Sequence, residues 1–157
     1  MNAFPILFTY RELVAGNGFL VGVETAGRAI VEESEDGRFW VFGVNPGCLS
    51  SDGDTRDEAL SEFKQRWVAI LNSVACDAKS LPDFMAEVQS LFSSESDVGW
   101  WDAAVSAVHE GGITVDWCRS MPAEATRGVT FKDFTSEMKP EANPDPFEHE
   151  VSLAKCA

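Results

Sequence analysis

The sequence predicts an α+β fold, an antiparallel meander sheet with a helix packed on it and a C-terminal helical extension. Three observations carry that expectation. Short alternating apolar runs within residues 4–44 are separated by Gly-containing turns, the pattern of hairpin-connected strands. A capping box, Thr55 with Glu58, opens a run whose apolar residues recur at helical spacing. The 157 residues are 45% hydrophobic and 11% aromatic, enough to build one core without disulfide or metal staples.

Along the chain, Phe4, Ile6 and Phe8 alternate onto one face, and Phe19, Val21 and Val23 repeat the pattern. Asn17-Gly18 between them is a hairpin signal, because both residue types tolerate positive φ. Thr25-Ala26-Gly27 reads as a second tight turn leading into a strand over 28–33. Glu35-Asp36-Gly37 is a third turn, followed by a strand over 38–44. Asn45-Pro46-Gly47 stops that strand, since proline cannot donate to a ladder, and Cys48-Leu49-Ser50 suggests a short strand after it. Within Phe39-Trp40-Val41-Phe42 both faces are apolar. Helices covering one face would leave the other for a partner, a second subunit or the C-terminal segment.

The first helix buries Ala59, Leu60, Phe63, Trp67, Ile70, Leu71 and Val74, with Arg56, Asp57, Glu62, Lys64 and Gln65 on its wet side. A second starts near Ser80 with Asp83 in its first turn and buries Phe84, Val88, Leu91 and Phe92. A third starts near Asp97, carries Trp101, Val105 and Val108, and ends at Gly111-Gly112. Ile113, Val115 and Trp117 alternate as a last strand, and Val129-Thr130-Phe131 reads as a short one. The expected organisation is a sheet-and-helix module over 1–76, an extension over 77–139 packing on it, and a mobile acidic tail over 140–157.

Composition narrows the function. Twenty-six acidic side chains face 12 basic ones, a formal net charge of -14. Such a field repels phosphate and argues against DNA binding, which needs clustered Lys and Arg. The same field steers a basic protein partner. The cysteines Cys48, Cys76, Cys118 and Cys156 stand singly, with no short zinc-ligand spacing. The expectation is reduced thiols, no signal peptide and, with no membrane-length apolar run, a cytoplasmic protein.

No nucleophile motif, P-loop, HExxH or GxGxxG occurs, and His109 and His149 belong to no recognisable constellation, so no catalytic group and no cofactor are expected. The acids Glu32, Glu33, Glu35 and Asp36 read first as a solvated hairpin end. A metal-dependent nuclease using Glu33 or Glu35 with Asp36 is the alternative those residues leave open. Trp40, Trp67, Trp100, Trp101 and Trp117 read as core or interface residues, because base stacking would require a positive groove beside them.

Residues 31–71 resemble the HicB-like antitoxin family. The matching residues are the turn ending in Gly37, the strand from Phe39, the corner Pro46-Gly47-Cys48, and Gly53 and Thr55 ahead of Glu58-Ala59 and Phe63. The resemblance implies a partial ribonuclease-H-like module without catalytic carboxylates, which binds and covers a small basic HicA-type ribonuclease toxin. This chain departs from the family by an N-terminal hairpin over about 4–24 and by a C-terminal part without a basic recognition helix. The expectation is therefore a non-catalytic binding protein, a homo-oligomer, meeting a HicA-like toxin or other basic protein through Glu33, Glu35, Asp36 and Trp40. An orphan HicB-like structural or regulatory module without a toxin is the second reading.

Overall fold

The computed structural model describes residues 2–110 and 127–138. Its chain order is β1 (Asn2–Ala15), β2 (Leu20–Glu33), β3 (Phe39–Asn45), β4 (Ser50–Gly53), α1 (Arg56–Asp77), α2 (Leu81–Ser93), α3 (Val98–His109) and β5 (Gly128–Asp133), followed by a 3-10 turn, Thr135–Met138. The class is α+β. The five-stranded sheet runs in the order β1-β2-β3-β4, and every pairing is antiparallel.

β2 organises the sheet. One edge pairs with β1 along its whole length, Asn2 against Glu33 through to Ala15 against Leu20. The other edge is shared: residues 21–26 take β5 and residues 28–33 take β3. The Thr25-Ala26-Gly27 turn expected from sequence is thus absent, and β2 is one continuous strand of 14 residues. Gly27 has a different purpose. A Cβ there would lie 2.3 Å from the Asn45 carbonyl oxygen and 2.4 Å from the Phe8 ring, so the glycine permits close approach at the bulge where β5 gives way to β3. The other two turns are as expected, with Gly18 and Gly37 at φ 81 and 83. The strand anticipated at Cys48-Leu49-Ser50 lies further along, at Ser50–Gly53. The strand anticipated at Val129-Thr130-Phe131 is the middle of β5.

Because directly opposed residues share a face, the register assigns every side chain. One face carries Ile6, Phe8, Val14, Val21, Val23, Ala29, Val31 and Val41, and packs with Ala59, Phe63, Trp67, Leu71 and Ala75 of α1 and Phe84, Val88 and Phe92 of α2. Phe84 meets Phe19 at 5.4 Å and Phe131 of β5 at 6.2 Å between ring centroids. Each fully buried large side chain here contributes about 1.5–3 kcal/mol.

Tyr10, the only tyrosine, stacks on Phe8 at 4.6 Å, and burial pushes its phenol up to about 12. The neutral phenol is the form the fold favours. Its stabilisation is complete below the ordinary tyrosine value near 10 and is lost as pH rises through about 12. Absorbance titration should show a single tyrosinate forming above about pH 11, with alkaline unfolding accompanying it.

The opposite face is not left bare. α3 lies on it, where Ile30, Val44 and Trp101 form a second, smaller core with Ala3, Leu7, Val98, Trp100 and Val105 around them. Helices therefore cover both faces in part, where the sequence suggested cover on one.

The capping box is as read. The Thr55 hydroxyl accepts the Glu58 N–H at 3.1 Å, and Glu58 Oε2 accepts the Thr55 N–H at 3.3 Å and the Asp54 N–H at 3.0 Å. Thr55→Ala should lower stability by about 1 kcal/mol, read as a lower urea midpoint at unchanged slope. Ser80 caps α2 by accepting the Asp83 N–H at 3.3 Å. α3 begins differently, since Asp97 is left-handed and makes no side-chain cap. The anticipated strand around Ile113–Trp117, the Gly111-Gly112 helix stop and the tail over 140–157 lie outside the described residues.

Candidate functional site

Along β3 the side chains separate cleanly. Phe39 and Val41 enter the main core, while Trp40 and Phe42 stand on the α3 face. The Trp40 and Phe42 rings are nearly parallel, 6.3 Å apart, and Phe42 meets Trp100 of α3 at 5.5 Å. These three rings form an aromatic row running from the hairpin end of β3 to the first turn of α3. Trp40 ends it at 38% exposure, one of two large apolar side chains left open among the described residues.

Carboxylates flank that row. Glu32 of β2 and Asp52 of β4 both sit directly opposite Trp40, one on each side and on the same face. Asp52 is ion-paired with Arg38, which also reaches Asp54 at 3.3 Å. The Glu32 carboxylate makes no hydrogen bond or ion pair with other described residues. Beyond Asp52 an open groove of about 700 Å³ runs between β4 and the start of α1. Asp52, Asp54, Asp57, Glu58 and Glu62 line it against only Arg38 and Arg66. The aromatic row is thereby continuous with a surface of negative excess.

The residues singled out from sequence do not all meet here. Trp40 does. Glu33 opposes Phe39, which puts it on the other face of the sheet, half-buried. Glu35 and Asp36 are exposed in the turn between β2 and β3. Asp36 is occupied locally: the Ser34 hydroxyl, and then the Arg38 backbone N–H, hold its carboxyl below the usual carboxylate range. Among the described residues no three His, Cys, Asp or Glu side chains come close enough to hold a metal ion.

Glu32, Asp52, Phe42 and Trp100 were not among the residues expected to meet a partner, although for Glu32 the turn contained the signal. Ser34 N–H donates to the Arg38 carbonyl at 2.9 Å, and that closure fixes Glu33 against Phe39 and Glu32 against Trp40. Gly37, Pro46, Gly47, Cys48, Gly53, Thr55 and Glu58 shape the strand, corner and helix start. Asn45-Pro46 is a cis peptide, and Gly47 N–H donates to the Ser94 carbonyl at 2.8 Å, tying the corner to the α2–α3 connection.

α3 is held on this face by a buried arginine. Arg28, 6% exposed, donates from Nε and Nη2 to Asn45 Oδ1 at 2.9 and 2.6 Å, and its guanidinium lies 5.4 Å from the Trp101 ring centre. Glu95 approaches it at 3.6 Å and also pairs with Arg127 at 3.6 Å. Burial, and then Arg127, pull the Arg28 guanidinium below the usual arginine range, while Glu95 and Asp102 oppose them. An arginine stays charged regardless. The cluster is therefore a fixed, satisfied clamp that positions Trp101, and through α3 positions Trp100 beside Phe42.

No helix among the described residues is long and apolar enough to cross a membrane. Comparison of the chain with protein-family models, with curated proteins and with solved structures finds no match.

Proposed function

We propose that this chain is a non-catalytic binding protein of HicB-like type that neutralises a small basic ribonuclease by protein–protein contact. The observation that carries the reading is the Trp40–Phe42–Trp100 row, half open and flanked by Glu32, Asp52 and the acidic groove. Interface hot spots are built this way, with an aromatic anchor inside a polar rim. The net charge of -14 supplies long-range attraction for a cationic partner. The strand, corner and capped helix over residues 39–77 support the resemblance as a scaffold.

Co-expression with a small basic ribonuclease encoded beside this chain tests the proposal. Rescue of growth and a stable complex are expected. Trp40→Ala should weaken the complex by about 30-fold or more, as truncation of an aromatic hot spot does. The urea midpoint should move little, because Trp40 is the exposed end of its row. A complex that forms equally well with the Trp40→Ala chain would overturn the reading. Stable expression without any such partner would favour an orphan regulatory module.

A further inference from the structure

Building on that reading, we infer that Trp40 is the seat for one arginine side chain of the partner, its guanidinium stacked on the indole and donating to the Glu32 carboxylate.

The position of Glu32 is the first support. Directly opposed residues on antiparallel strands bring their Cβ atoms to about 4.5–5.5 Å. A flat cation on the Trp40 ring would therefore lie beside the side chain of the glutamate opposite it, within reach of its carboxylate. Asp52 on the other flank already holds Arg38, so Glu32 is the acid left for an incoming charge. A half-buried carboxylate with no cation beside it among the described residues gains most from such a guest, because a charge-assisted hydrogen bond offsets the cost of covering it.

The shape of the aromatic row decides between cations. Trp100 contacts Phe42, and Trp40 stands at the outer end of the row, so the site offers one open ring rather than a box. A compact, strongly hydrated ammonium gains little from a single exposed ring and is better served by several. A guanidinium is planar and weakly hydrated. It stacks on one ring and still directs N–H groups in its own plane toward a neighbouring acid. The negative groove beyond Asp52 favours further basic residues flanking that arginine.

The test uses the full chain labelled with nitrogen-15, in which each of the five tryptophans gives one indole N–H signal. The Trp40 signal is assigned by its loss in Trp40→Phe. Three blocked pentapeptides, Gly-Ser-X-Ser-Gly with X as arginine, lysine or citrulline, are titrated in turn. Arginine should shift the Trp40 signal saturably, lysine about threefold or more weakly, and citrulline not at all. Glu32→Gln should weaken the arginine effect about fivefold or more while leaving the free Trp40 signal close to its place. Equal shifts with citrulline, no saturable shift at Trp40, or indifference to Glu32→Gln would each overturn the inference. The two ideas fail separately. A protein partner whose binding needs Trp40 but shows no arginine preference removes only this inference. A complex indifferent to Trp40→Ala removes the reading beneath it.

Discussion

Trp67→Ala is expected to destabilise the protein by about 3–5 kcal/mol, the range for a buried aromatic truncated in a core. Trp67 is fully buried at the centre of α1 against the sheet. Its Nε1 donates to the Thr25 hydroxyl oxygen at 2.9 Å, and Thr25 is itself buried. The substitution therefore opens a cavity and removes a buried hydrogen bond together. Trp67→Phe separates the two, since it retains most of the volume and loses the donor. It should cost about 1–3 kcal/mol. Adding Thr25→Val to Trp67→Phe should recover part of that loss, because removing both partners leaves no unsatisfied group. Urea unfolding of wild type, Trp67→Phe, Thr25→Val and the double variant measures the cycle. An unchanged midpoint for Trp67→Ala would mean that α1 does not present this face to the sheet.

The second large effect concerns Arg28. Arg28→Met should cost about 2–4 kcal/mol, from a buried amide oxygen left without donors and a cation removed from an aromatic ring. The loss should be local in character. Asn45 Oδ1 loses both donors, Trp101 loses its cationic neighbour, and α3 loses its tie to the end of β3. Amide exchange in α3 should accelerate more than exchange in α1. Arg28→Lys keeps the charge but cannot reproduce the fork made by Nε and Nη2, so it should fall between wild type and Met. Glu95→Gln should cost less than about 1 kcal/mol, because Glu95 is half exposed and surface ion pairs are weak. If Lys restored full stability, charge rather than fork geometry would be holding the cluster. Because Arg28 positions α3, its replacement should also weaken the complex proposed at Trp40, without any contact between Arg28 and the partner.

Much of the scaffold was legible because its signals are local. Thr55 and Glu58 meet within one helical turn, so the start of α1 could be read from four residues. Phe63, Trp67 and Leu71 repeat every four residues and are buried together. Asn17-Gly18 and Asp36-Gly37 marked their turns because the glycine of each pair takes the positive φ that the turn needs. Where the reading failed, a local signal had a distant cause. Gly27 looked like a turn, yet it is needed because Asn45, 18 residues further on, approaches the β2 backbone there. Phe131 could be read as strand-forming, but nothing near it in sequence says that β5 lies beside β2 in place of a longer β3.

The candidate site divides along the same line. The sequence by itself determined that an acidic turn precedes an aromatic strand and a capped helix, and that no catalytic motif accompanies them. Only the tertiary structure decided which acid stands beside Trp40. Side chains in a strand alternate, so Glu32 and Glu33 differ by one position and lie on opposite faces. The closure between Ser34 and Arg38 sets that register, and pairing with β4 brings in Asp52. Whether Trp40 stays open was decided from further away still. α3 covers Ile30 and Val44 and reaches Phe42 through Trp100, leaving Trp40 exposed at the end of the row, and its seat there depends on the Arg28 clamp between elements distant in sequence. Periodicity fixes which residues alternate, but register and long-range packing determine which face each one is on and what covers it.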